Sequence, residues 1–329
     1  MSDDSHPSEP RPGSSGPDEA YSPREALQQE RSRRAALPWL TRNGFPDWLV
    51  AFAWMFLAMI LFQAVGAGFS LGVLFVQEGP SGFSQEALMS RPDLMFLGNS
   101  VGQIAGLGVA TLLVALLSAP KGRYAAFMRF RMPASPALSF GTAALLMIVV
   151  QPLLWTLGWI NQKLPLPEAI LSMEQTQVDM IANLLTGSFA LWFLVLNIGV
   201  VPAVCEEIMF RSYLHRLFEN ALGIGAAIVV TGLLFGLFHL RLTQLLPLAA
   251  IGMLLGWMTV RSGSVFPAML MHFMHNSGTV AAVHGSPDLL EAAETAAMPP
   301  LWAALASLVL AGYLVYLYQR NTSTSTNPE

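Results

Sequence analysis

Charge is scarce in this chain. Asp, Glu, Lys and Arg make up only 12% of its 329 residues, where a soluble domain carries about 25%. Set against 53% hydrophobic residues and a mean hydropathy of +0.51, that shortage excludes an ordinary water-soluble enzyme. Cysteine is almost missing: Cys205 stands alone, which excludes an intrachain disulfide and a cysteine zinc cluster. There is no basic excess. The net charge is −4 and the pI near 5.9, so no positive field attracts nucleic acid and no such partner is expected. No apolar stretch precedes residue 48 or so, and the N-terminus does not read as a secretory signal.

Long apolar runs dominate what is present. A membrane helix needs about 20 mostly apolar residues, because hydrocarbon tolerates only internally bonded helices or closed barrels. Eight segments qualify as candidates: 48–76, 94–117, 137–160, 189–211, 222–240, 245–260, 265–283 and 301–318. The expected fold is an all-α, polytopic membrane protein with about eight transmembrane helices. With both termini cytoplasmic, all but three of the 17 basic residues (Arg91, Lys163 and Arg241) fall on the inner side, as the positive-inside rule requires. Residues 1–45 are polar and aperiodic and read as a disordered cytoplasmic tail. Residues 46–320 form the transmembrane domain, and 321–329 a short cytoplasmic tail. The expected location is an integral, multi-pass one, the plasma membrane if the source is bacterial.

Two further patterns bear on packing. Residues 168–185 space Ile170, Met173, Val178, Ile181 and Leu185 as one helical face, which suits a helix lying at the bilayer interface. Gly98/Gly102/Gly106, Gly232/Gly236 and Gly252/Gly256 recur at four-residue spacing and let helices approach closely within one chain. Trp48, Trp54, Trp155, Trp159 and Trp302 fall mostly near span ends and read as interface anchors. Residues 286–298 read as an acidic, Ala-rich surface segment.

Ionisable groups at membrane depth are costly unless they are paired or face water, and most of the expected spans have none. The exceptions are Glu206, Glu207 and Arg211 in the fourth, His239 at the end of the fifth, and His272 and His275, beside Asn276, in the seventh. A turn at 219–223 makes the fourth and fifth an antiparallel hairpin. Glu206 lies about 14 residues before that turn and His239 about 17 after it, or about 21 and 26 Å, so they reach similar depth. Adjacent glutamates point about 100° apart. Glu207 and Arg211, at i and i+4, form an ion pair, which leaves Glu206 free to accept a proton. His272 and Asn276 share a face. Cys205 reads as apolar filler, and Pro202 as a kink that opens space beside Glu206.

The residues Glu206-Glu207-Ile208-Met209-Phe210-Arg211, Phe235-Gly236-Leu237-Phe238-His239 and His272-Phe273-Met274-His275-Asn276 resemble the EExxxR, FxxxH and HxxxN motifs of the CPBP family. That family comprises CAAX prenyl endopeptidases and bacteriocin-processing or immunity (Abi) proteins. The resemblance covers roughly residues 190–283. It implies an intramembrane endopeptidase in which Glu206 and His239 activate a water while His272 and Asn276 stabilise the oxyanion. Glu207, Arg211, Phe235 and His275 would support them. The implied partner, besides the lipid bilayer, is a membrane-associated or lipid-modified protein or peptide, a prenylated one among the choices.

The cofactor expectation stays open between none and zinc. Glu206, His239 and His272 also supply a His2Glu ligand set, although the chain has no HExxH helix. Two other functions use the same residues: a proton-coupled transporter with a Glu/His relay, and a non-catalytic membrane immunity or scaffold protein. No internal repeat supports the transporter.

Overall fold

The structure, a computed structural model, describes residues 37–82, 84–286, 288 and 300–323. The expected tail lies outside the described residues up to residue 36, as do most of the 286–298 segment and the last six residues. The longer helices are α1 (Asp47–Glu78), α2 (Pro92–Ser118), α3 (Pro136–Val149), α4 (Gln151–Asn161), α5 (Glu168–Leu185), α6 (Leu191–Leu222), α7 (Ile224–Phe238), α8 (Leu245–Ser262), α9 (Phe266–Gly285) and α10 (Leu301–Ser323). No strand occurs among the described residues. The chain is all-α and polytopic, as expected.

The span count needs a distinction. All eight apolar segments reappear as helices, but five are long and apolar enough by themselves to cross a membrane, or six if the bent pair α3–α4 is one span. That pair bends by 45° beside Pro152, which has no N–H for the ladder. The remaining two are α7 and α9. With 15 residues, α7 covers about 22 Å, less than the roughly 30 Å of a hydrocarbon core. Helix α9 is long enough, but His272, His275, Asn276 and Ser277 lower its apolar content. Both helices therefore depart from the pattern where they carry the polar groups.

Glycines decide how closely the helices meet. A Cβ built on Gly98 would stand 2.6 Å from the Gly66 carbonyl oxygen, and one on Gly102 would stand 2.3 Å from that of Phe62. Gly106 meets the Phe62 backbone nitrogen in the same way, at 2.6 Å. The α2 glycines are thus filled by α1 of the same chain. Gly232 of α7 and Gly252 of α8 form a second such seam, since a Cβ on Gly252 would lie 2.9 Å from the Gly232 Cα.

Buried polar pairs fix the register of these helices. Trp54 Nε1 donates to Thr111 Oγ1 (3.0 Å), Ser100 Oγ to Asn197 Oδ1 (2.6 Å), and Ser118 and Tyr213 share a 2.8 Å hydroxyl contact. Trp54 is therefore buried between α1 and α2 rather than anchored at an interface, because its indole N–H has an internal acceptor. Trp48, Trp155 and Trp302 are exposed. His215, in the last turns of α6, is also fully buried, bonding Thr231 Oγ1 through Nδ1 at 2.9 Å.

Gly102→Ala is expected to destabilise the fold by about 1–3 kcal/mol through overpacking. Gly141→Ala in α3, where a Cβ meets nothing within 4 Å, should be neutral or mildly stabilising. Thermal melting of the two variants in one detergent, followed by helical circular dichroism, checks the contrast. Equal midpoints would refute the close α1–α2 seam.

Candidate active site

Helix α6 is one 32-residue element with two π-helical stretches, Val195–Val200 and Ile208–Leu214. Between them, Val201–Glu207 presents the two glutamates. Such π turns widen the helix and are frequent at functional sites. Pro202 explains part of the first. It lacks the N–H that the Ile198 carbonyl would take at i+4, and Asn276 Nδ2 of α9 donates to that carbonyl instead, at 2.9 Å. Asn276 thereby joins α9 to α6 just before the glutamates.

The hairpin from α6 to α7 turns at Gly223, whose φ of +82° lies in the region glycine accepts without strain. It brings Glu206 and His239 to one depth, as their spacing required. Glu206 Oε2 lies 3.9 Å from His239 Nε2 and 4.0 Å from His272 Nε2. The oxygen is buried and has no hydrogen-bond partner within the protein. His239 Nδ1 is 2.7 Å from the Phe235 carbonyl oxygen. A carbonyl only accepts, so Nδ1 carries a proton; in the neutral ring Nε2 is then an acceptor facing Glu206.

Glu207 points the other way and serves two partners. Its Oε2 pairs with Arg211 Nε at 3.2 Å, and its Oε1 accepts from His272 Nδ1 at 2.9 Å. Glu207 and Arg211 are both fully buried, and His272 is nearly so. The guanidinium also donates from Nη2 to the Gly252 carbonyl (3.2 Å) and lies 4.4 Å from the centre of the Phe235 ring. Phe235 in turn packs edge-on against His239 and His272, with ring centres 4.7 and 5.6 Å away. All the supporting residues expected from the motifs except His275 therefore touch one another here. His275 lies to one side, where Gln151 Nε2, at the α3–α4 bend, approaches its Nδ1 at 3.5 Å.

Cys205 is buried beside Gly108. Residue spacing did not reveal the Asn276–Ile198 bond. Pro202 four residues after Ile198 was the available signal.

Among the described residues no group of three or more His, Cys, Asp or Glu is set to hold a metal ion. The distances explain why. Zinc arms of about 2.0–2.1 Å would have to open to roughly 135–180° to span 3.9–4.0 Å, well past tetrahedral. Hydrogen bonds of about 2.8 Å span the same distances at roughly 90°. The separations of Glu206 from His239 and His272 thus suit bridging hydrogen bonds better than tetrahedral zinc arms.

Residues 186–278 match the family model described as Rce1-like, type II CAAX prenyl endopeptidase Rce1-like. This segment is thus similar to the CAAX prenyl endopeptidase model, and it is the segment that carries the three motifs. Among curated proteins, the UPF0177 protein YbdI of Lactococcus lactis subsp. lactis (strain IL1403) is 28% identical over 120 residues, which cover 31% of this chain and 62% of that relative. No solved structure matches. With its long apolar helices, the chain is an integral multi-pass membrane protein.

Removing one member of a fully buried ion pair strands the other charge, at a cost of about 3–5 kcal/mol. Glu207→Gln and Arg211→Met should therefore each lower stability markedly. The double variant should be more stable than Arg211→Met alone. Denaturant titration of the three variants in a mixed-detergent system checks this, and simple additivity would show that the two charges do not interact.

Proposed function

We propose that this protein is an intramembrane endopeptidase that cleaves a peptide bond of a membrane-associated or lipid-modified substrate without a metal. The observation that carries the reading is the facing of two acceptors, Glu206 Oε2 and His239 Nε2, at 3.9 Å. Acceptors at that separation are satisfied by one water that donates a proton to each, which leaves its lone pair directed outward as a nucleophile.

In the reaction, the water oxygen bonds to the scissile carbonyl carbon as Glu206 takes its proton. The carbonyl electron pair moves onto oxygen. His272 gives Nδ1–H to Glu207, so in the doubly protonated ring Nε2–H donates to that oxyanion, and the second N–H of Asn276 assists. With His272 in that form, Glu206, Glu207, Arg211 and His272 sum to zero charge, which limits the electrostatic cost of burying all four. Collapse of the intermediate breaks the C–N bond, and the proton held by Glu206 passes to the departing amine. Phe235 excludes water from the Arg211–Glu207 pair, and His275 borders the site beside Gln151.

The site residues sit in the 190–283 core of a 46–320 membrane domain, between cytoplasmic tails at 1–45 and 321–329. Both termini face the cytoplasm, and the membrane is the plasma membrane if the source is bacterial. The substrate class is that of the matched family, prenylated CAAX peptides, beside other membrane-anchored peptides. A proton-coupled transporter or a non-catalytic immunity factor would not need two acceptors spaced for a single water.

Glu206→Gln should reduce cleavage at least 1,000-fold or so, in the range lost when a catalytic group is removed, with the melting temperature unchanged. The assay is turnover of a farnesylated CAAX peptide and a transmembrane peptide library by detergent-solubilised protein. Equal turnover by wild type and variant would eliminate Glu206 as the base. Treatment with EDTA or 1,10-phenanthroline should leave the wild-type rate unchanged. A loss restored by Zn2+ would overturn the metal-free mechanism.

A further inference from the structure

His239 is the last residue before a short irregular connection, 240–244, that leads into α8. That connection is under strain. Leu240 has a φ of +53°, a left-handed conformation that costs a branched side chain about 1 kcal/mol or more. Nothing in its own sequence favours this turn, so other parts of the fold must hold it. Two buried side chains do.

Glu174 of α5 is 2% exposed. Its Oε1 accepts from the Leu242 N–H at 2.6 Å, and its Oε2 accepts from both the N–H (3.0 Å) and the hydroxyl of Thr243. Asn161, at the end of α4, is fully buried. It donates from Nδ2 to the Leu242 carbonyl (2.7 Å) and accepts from the Leu246 N–H through Oδ1 (2.6 Å). Together they cap, from outside, the unpaired donors at the start of the 242–262 helix. Burial would push the Glu174 carboxyl above its usual value. The Thr243 hydroxyl and the Thr243 and Leu242 N–H groups, with the charge of Arg241, outweigh that and hold it below.

The far end of α5 has a separate tie. His284 Nδ1, near the end of the His272-bearing α9, donates to the Leu185 carbonyl at 3.2 Å. Helix α5 thus spans from the His239 turn to the His272 helix. Its sequence pattern places Met173 on the buried face, but Met173 is 54% exposed and Glu174 is buried. A carboxylate docks the first half of the helix, while Ile181 and Leu185 pack into the apolar core at its other end.

We propose that Glu174, assisted by Asn161, is a positioning residue for His239: by clamping residues 242–246 it sets the 3.9 Å separation of His239 Nε2 from Glu206. The inference rests on the peptidase reading and deepens it. Glutamine cannot replace Glu174, because all three neighbours donate and the amide would turn an N–H toward one of them. A displacement of the order of 1 Å at a reacting group can cost up to about a hundredfold in rate.

The test uses the full chain in detergent, with Glu174→Gln beside Gln175→Ala, an exposed control on the same helix. Three quantities are read: amide hydrogen exchange at Leu242, Thr243 and Leu246, hydrogen exchange at the His239 and His272 ring C2 positions by mass spectrometry, and cleavage kinetics. Glu174→Gln should raise amide exchange at 242–246 and change the His239 ring rate at least about threefold, with the His272 ring rate and melting temperature nearly constant. Its kcat should fall about tenfold while KM stays within about twofold, within the range expected of a misplaced catalytic group. Gln175→Ala should match wild type throughout. Unchanged exchange at 242–246 would remove the clamp. Raised exchange there with an unchanged His239 ring rate would show that Glu174 docks α5 without positioning the histidine. If wild type and Glu206→Gln both fail to cleave any substrate, the peptidase reading is what fails, and the His239 ring rate still decides the positioning role.

Discussion

Glu207 holds a carboxylate at a point without solvent exposure, inside a bundle built to sit in lipid. An unpaired charge there would cost several kcal/mol, and three helices are arranged around removing that cost. Arg211 comes from the next turn of α6, His272 from α9, and the carbonyl that takes the second arm of Arg211 from Gly252 of α8. That carbonyl is within reach because Gly252 lies against Gly232, where any larger residue would hold α7 and α8 apart. The same guanidinium rests on Phe235, which itself touches both histidines of the site. Satisfying one buried carboxylate therefore sets helix positions, and the helix positions set the site.

The neighbouring carboxylate is treated in the opposite way. Glu206 has no protein donor on Oε2. Two histidine nitrogens stand near it, just beyond direct hydrogen-bond reach. Such a group interacts most strongly with whatever enters between it and the histidines, and this is the property needed of a base acting on water. Helix geometry makes the contrast available. Residues one apart on a helix face directions about 100° apart, so Glu207 can be fully committed to structure while Glu206 remains available for chemistry.

Departures from regular helix cluster around this pair. Pro202 removes a ladder donor, Asn276 replaces it, and π-helical stretches flank the glutamates on both sides. Leu240 takes a left-handed conformation next to His239. Irregular backbone at membrane depth persists only where side chains from other elements satisfy it. Asn276, Glu174 and Asn161 are those side chains here.

The amino-acid sequence by itself determined that the chain is all-α and membrane-embedded, because helix is the only repeat that buries such apolar runs. It also determined which polar groups meet. The i,i+4 spacing of Glu207 and Arg211 and the hairpin arithmetic that levels Glu206 with His239 are local helix geometry, and local geometry can be read from residue numbers. Tertiary structure alone decided the rest. It chose Glu207 rather than Glu206 as the direct partner of His272, turned Glu174 inward and Met173 outward on α5, buried Trp54 and His215, and brought Asn161 and Glu174 to a turn more than sixty residues away in the chain. Those outcomes depend on the rotation and separation of packed helices. No periodicity along a single segment encodes either quantity.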